Sequence, residues 1–223
     1  KKFAMPRRLR FAQAGYVFHV LNRGTGRQTL FETNQDYDAF VALIQQAKQK
    51  VEMRVLAFCI MPTHWHLMLW PNSDDALSEY MRWLTVTHTQ RWHARRGTAG
   101  TGPVYQGRFK SFPVQEDEHF LSLCRYVERN ALRANLCALA ELWKWSSAWS
   151  GSSPVSLSPW PVSKQSDWLS FVNEPQTEAE LAAIRHSVKH GRPYGGQEWI
   201  KTTARTLGLE RTLHGRGNPG RME

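Results

Sequence analysis

The sequence predicts an α+β protein, an antiparallel sheet with helices packed on it and ferredoxin-like or RRM-like in outline. Short apolar runs and helical patterns follow one another as strand, helix, strand, strand, helix, strand, helix. Residues 53–61 are almost wholly apolar, the mark of a central buried strand. The chain has 223 residues, 41% hydrophobic, with ten tryptophans. That suffices for one sizeable core with an elaborated end or a small second unit.

Taken in order, residues 15–22 alternate as a first strand and end at Arg23-Gly24-Thr25-Gly26-Arg27. That loop reads either as a phosphate contact, through exposed N–H groups and two guanidiniums, or as a flexible turn with solvated arginines. Asn34 is placed to cap a helix over 35–50, whose apolar stripe is Phe40, Leu43, Ile44 and Ala47. After the second strand, Pro62-Thr63 makes a short break. His64-Trp65-His66-Leu67 then fits a strand better than a helix. Alternation sends His64 and His66 to one face and Trp65 and Leu67 to the other.

Asn72-Ser73-Asp74-Asp75 starts a helix over 76–95. A Gly/Thr loop leads to a fourth strand over 108–114, and Glu116-Asp117-Glu118 opens a helix running to about 136. Residues 146–166 are rich in Ser and Pro and read as a linker. Two short helices, 178–189 and 197–207, make a basic helical extension. The tail, 211–223, is Gly-rich and basic and reads as mobile unless bound.

The net charge is +10, which calls for an anionic partner, nucleic acid being the commonest. Between Tyr80 and Gln115 the bases Arg82, Arg91, Arg95, Arg96, Arg108 and Lys110 meet no acid, which favours an anion-facing surface. No apolar run approaches the roughly 20 residues that span a bilayer, and no apolar signal segment follows the basic N-terminus. A cytoplasmic protein without a membrane partner is expected. Cys59, Cys124 and Cys137 have no disulfide-like or zinc-like spacing and read as small core residues.

His64 and His66 are half of a metal site, or two polar residues on the wetter face of a strand. Tyr126 and Asn130, four apart on one helix face, offer a phenolic nucleophile and a carbonyl ligand. His88 and His93 read as surface or DNA-proximal. His119, seven before Tyr126, either acts near the site or is an ordinary helical surface residue. Glu128 and Arg129 are expected to point away from the metal.

His64-Trp65-His66 on a strand, then Tyr126-Val127-Glu128-Arg129-Asn130 on a helix, resembles the single-tyrosine HUH transposases. Further stretches resemble the REP-associated tyrosine transposases: Asn22-Arg23-Gly24, Met61-Pro62-Thr63, the run from Val104 to Ser111, and Gly191-Arg192-Pro193-Tyr194-Gly195. The resemblance implies an HUH nuclease core over 1–145, a linker over 146–166, and an extension over 167–223 that clamps DNA or covers the site. It implies that Tyr126 attacks a phosphodiester of single-stranded DNA, forming a 5′-phosphotyrosine and freeing a 3′-hydroxyl. His64, His66 and Asn130 would hold Mg²⁺ or Mn²⁺, Asn130 standing where many relatives carry the longer Gln.

The implied partner is a REP-like hairpin with a guide tetranucleotide, typically GTAG, met by a nucleoid-associated bacterial protein. Monomer and homodimer both stay open. DNA contacts are expected from Arg7, Arg8, Arg10, Arg23, Arg27, Arg108, Lys110 and Arg192. Alternatives are a replication initiator or relaxase with the same chemistry, a catalytically idle hairpin-binding regulator, and, weakest, a zinc hydrolase. No helicase-like stretch supports the first, intact Tyr126, His64, His66 and Asn130 oppose the second, and the third lacks an activating carboxylate in the motif.

Overall fold

A computed structural model describes residues 13–213. Strands β1 (Val17–Arg23), β2 (Met53–Met61), β3 (His64–Pro71) and β4 (Lys110–Val114) form one sheet in the order β2-β3-β1-β4, antiparallel throughout. Alternation divides its side chains, interrupted only at the register shift between Val55 and Ala57 on β2. Phe18, Val20, Trp65, Leu67 and Leu69 join one core with helices α1 (Asn34–Lys50) and α2 (Ala76–Arg96). Val17, Met68, Phe112 and Val114 join a second core on the opposite face. That face is covered by α3 (Glu118–Glu128), α4 (Asn130–Arg133), α5 (Trp168–Asn173) and α6 (Glu178–His190). A further helix, α7 (Gln197–Thr206), follows residues 191–196. The expected α+β architecture is what the chain adopts. Among the described residues no helix is long and apolar enough to cross a membrane.

Three local expectations are corrected. Helix α1 is capped by Thr33 rather than Asn34, in a capping box with Asp36. Asp36 also pairs with Arg95 and Arg96, which removes those two arginines from the expected anion-facing surface. Second, β2 is an edge strand, although seven of its nine residues run buried without a break. Its outer edge is closed by the chain around residues 143–160. Ile60 N donates to Trp145 O (2.9 Å), Ser147 N to Phe58 O (2.9 Å) and Ser158 N to Val55 O (2.8 Å). Trp143 and Trp160 add indole bonds to Ile60 O and Leu56 O. A long apolar edge would otherwise invite pairing with another chain.

Third, the helix expected to run to about 136 breaks after Glu128 and resumes as the short α4. Asn130 lies at the break, where its Nδ2 donates to the carbonyls of Tyr126 (2.9 Å) and Val127 (3.4 Å). Such side-chain bonds compete with the helical ladder. The break therefore sits within the candidate motif itself.

Candidate functional site

The pleat of β3 puts His64 and His66 on the face that α3 covers, with ring centroids 5.2 Å apart. Tyr126, on α3, meets His66 edge to face at 5.9 Å and 88°. Strand and helix, sixty residues apart in sequence, thus share one site. Asn130 lies one turn beyond Tyr126 and is 2% exposed. Its Oδ1 accepts from the guanidinium of Arg133, which lies 4.3 Å over the Tyr126 ring.

The imidazoles are held in defined orientations. His66 Nδ1 and His19 Nε2 are 2.9 Å apart, with the two rings stacked at 5.1 Å. His64 Nδ1 is 3.0 Å from the Thr63 hydroxyl. With each Nδ1 engaged, Nε2 is the nitrogen through which either ring can hold a ligand. Burial lowers the His64 pKa to about 4, with help from the charges of Arg133 and Arg23. Burial, then His19, His64 and Arg133, holds His66 well below the ordinary histidine range. Burial alone takes His19 to about 3. All three rings are therefore neutral near pH 7, with lone pairs rather than charges to offer.

A second wall comes from two loops. Asn22 donates to Gly107 O (3.1 Å) and accepts from Arg23 N (2.9 Å). Gly24 N donates to Thr63 O, and a Cβ at Gly24 would stand 2.4 Å from Gln28 O, so the close approach demands glycine there. These bonds set Arg23, Gln106, Arg108 and Lys110 around a cleft of about 330 Å³. Leu21, which also lines it, is the register partner of His66, and Arg23 is the partner of His64. Arg108 further borders a groove of about 750 Å³ along α2, with Arg82 and Asn22.

The other expected contacts are dispersed. Arg27 is exposed after the first loop, in a left-handed conformation with φ 65°. Arg192 bonds Gln197 and borders a separate pocket with His119 and His186. Arg7, Arg8 and Arg10 lie outside the described residues, as does most of the basic tail. His119 bonds Asp117 (2.8 Å) and packs on Tyr194 at the start of α3. With Glu118 these two form a compact His/Asp/Glu group of metal-ligand type, but Asp117 is already the cap of α3. His88, expected near the surface, is 6% exposed and 2.6 Å from the Tyr105 hydroxyl, so both are core residues. Glu128 does point away from the histidines, accepting from Ser147 and Trp168.

Two members of the site were not singled out from sequence. His19 carries no signal beyond period 2 on β1, because its partner strand is far along the chain. Arg133 had a usable one: it falls three residues after Asn130 and seven after Tyr126, on one helical stripe.

Residues 12–130 match the family model described as "Transposase IS200 like". No curated protein sequence matches the chain. Among solved structures, it is similar to a REP-associated tyrosine transposase bound to a REP hairpin. That likeness has 17% identity and a TM-score of 0.51, over 67% of this chain and 93% of the other. A weaker likeness, at 12% identity and TM-score 0.38, is to a protein assigned as a transposase from Deinococcus radiodurans R1, over 61% and 92% of the two chains. The first likeness speaks to the fold.

Proposed function

The protein belongs to the IS200-like transposase family, whose model matches more than half of the chain, and from that premise we propose that it cleaves and rejoins single-stranded DNA at REP-type hairpins through Tyr126. The observation that carries this reading is the 5.9 Å contact of Tyr126 with His66. It brings a nucleophile to the edge of a paired-imidazole site.

In the proposed reaction the Tyr126 oxygen attacks the scissile phosphorus. The tyrosine–phosphate bond forms as the bond to the 3′-oxygen breaks, and the phenolic proton leaves by way of that 3′-hydroxyl or solvent. The product is a 5′-phosphotyrosine. Because the ester bond is conserved, a second 3′-hydroxyl can attack it, restore the phenol and complete strand transfer. Hydrolysis would waste that linkage.

The donor set suits a divalent cation. Two neutral imidazoles each have Nε2 available, and the Asn130 carbonyl oxygen, with two lone pairs, can accept from Arg133 and still serve as a ligand. His64, His66 and Asn130 would hold Mg²⁺ or Mn²⁺, which would polarise phosphoryl oxygens and help orient in-line attack. Arg23, Arg108 and Lys110 line the adjoining cleft and would fix backbone phosphates, leaving splayed bases to be read on their edges.

The REP hairpin named for the structural neighbour, with its guide tetranucleotide, is the proposed partner. Residues 1–145 form the proposed catalytic unit and 146–166 its connection. Residues 167–223 form an extension that clamps DNA, consistent with its attachment beside the site. Arg125 and Arg129 donate to carbonyls of residues 173–175, and Tyr194 pairs with β4.

The test incubates a labelled single strand, in which a stem-loop follows GTAG, with wild-type protein, with Tyr126→Phe, and with wild-type plus a chelator. A covalent protein–DNA adduct is expected from untreated wild-type alone. An undiminished adduct from the Phe variant removes Tyr126 from its role, and one that survives chelation removes the cation.

A further inference from the structure

Arginines stand at 125 on α3, at 129 in the break and at 133 on α4, four residues apart, and they are used differently. Arg125 is 5% exposed, donates to the carbonyls of Glu174 and Pro175 and pairs with Glu180. Arg129 donates to Asn173 O. Both fasten the extension to the core, and each leaves its Nε buried without a hydrogen-bond partner, so position over Tyr126 and not an orphan donor alone sets Arg133 apart. Arg133 turns instead to the site. Its guanidinium lies over the Tyr126 ring, its Nη2 donates to Asn130 Oδ1, and no carboxylate among the described residues pairs with it. Its Nη1 is buried without a hydrogen-bond partner.

A buried guanidinium N–H without an acceptor is costly, and such groups in native proteins call for an explanation. Here the orphan donor belongs to a group stacked on the proposed nucleophile. Two further observations bound what can satisfy it. An imidazole carries no negative charge in either protonation state, and Asn130 Oδ1 already accepts from the Nη2 of the same guanidinium. An anionic oxygen of a substrate that reaches Tyr126 would lie within reach of this donor, because the guanidinium stacks on the Tyr126 ring.

We propose that Arg133 is a further catalytic residue, one whose Nη1 donates to a non-bridging oxygen of the scissile phosphate while its plane holds the Tyr126 ring in line for attack. This assignment rests on the cleavage reading above. As the phosphorus becomes five-coordinate, charge gathers on its non-bridging oxygens, and a fixed donor inside a closed site stabilises that charge more than it stabilises the ground state. No bond is made or broken at Arg133.

The experiment compares wild-type, Arg133→Ala and Arg133→Lys on two labelled strands with the GTAG stem-loop. One carries an ordinary scissile phosphate, the other a methylphosphonate there, which replaces one non-bridging oxygen with a methyl group. Melting temperature is measured alongside. On the ordinary strand Arg133→Ala is expected to slow adduct formation by about 100-fold, the scale of losing one oxyanion donor, with Arg133→Lys in between. With the two methylphosphonate diastereomers assayed separately, the deficit of the Ala variant is expected to shrink to a few-fold in the one whose methyl replaces the oxygen that Arg133 serves.

A deficit of equal size on the ordinary strand and on both diastereomers, or none on any of them, overturns the assignment while leaving Tyr126 in place. Absence of adduct from wild-type on the ordinary strand overturns the cleavage reading itself. Should the Ala variant not fold, the same ratio is read from Arg133→Lys.

Discussion

Each face of the sheet buries a histidine beside a tyrosine, and the two clusters have opposite outcomes. On the α1/α2 face, the Trp65 indole donates to the Tyr105 hydroxyl (3.1 Å), which is 2.6 Å from His88 Nδ1, inside a wall that includes Phe31 and Phe40. None of these hydrogen-bonding atoms is orphaned. On the α3 face, His19, His66, Tyr126 and Asn130 form a similar buried group with the half-buried Arg133 over it, yet His19 Nδ1 and Arg133 Nη1 have no partner. A closed polar network gives rigidity and needs nothing more. An open one keeps acceptors and donors in reserve; Arg125 Nε and Arg129 Nε are unpartnered as well, and what distinguishes this cluster is that its open groups surround Tyr126 and the paired imidazoles. Residue types do not separate the clusters; hydrogen-bond closure does.

The comparison can be broken most forcefully at His66. Replacing it with Ala should lower adduct yield by more than about 100-fold, beyond what loss of a supporting residue around a metal costs, and it should abolish the response to added Mg²⁺ or Mn²⁺. A variant that keeps metal-stimulated cleavage would show that the open cluster is merely structural.

On the closed side, Tyr105→Phe leaves the Trp65 donor and His88 Nδ1 without their shared partner. It should lower stability by roughly 1–3 kcal/mol in urea titration, with adduct formation per folded molecule unchanged. A catalytic defect in a fully folded Tyr105→Phe protein would dissolve the distinction between the faces.

The third effect concerns what the clusters share, a neutral buried imidazole. Burial takes the His88 pKa to about 3, below the ordinary 6.5 of an unfolded chain. Between those values the unfolded chain binds a proton that the folded one refuses, so stability is full above about pH 6.5 and declines as pH falls toward 3. Going from pH 7 to 5, His88 should account for about 2 kcal/mol of lost stability. Urea titrations of His88→Asn at both pH values should show that share of the slope missing. An unchanged slope would mean that His88 opens to solvent and the closed cluster is not closed.

Much of this was legible in the sequence, for reasons that particular residues make plain. Met53–Met61 is bounded to the residue because only Arg54 breaks its apolar run and Pro62-Thr63 ends it. The same run misled about position, since a strand buried by an overlying segment has the composition of a central strand. Trp143, Trp145 and Trp160 do the covering from over eighty residues away. Tyr126 and Asn130 were readable as one helical face, but not the break at Arg129 that falls between them. His88 was misplaced because a lone histidine in a basic helix looks solvated until Tyr105 is known to meet it.

What the sequence determined by itself was the alternation that sends His64 and His66 to one side of a strand, and the one-turn spacing of Tyr126 and Asn130. Both are local consequences of backbone periodicity, fixed whatever the rest of the chain does. Only the tertiary structure decided that these two faces meet, that His19 is stacked behind His66, and that Arg133 alone of three helical arginines turns toward the tyrosine. Those outcomes depend on strand order and on which carbonyls the extension presents to Arg125 and Arg129. Such partners are distant in sequence and are chosen by packing, which no local pattern encodes.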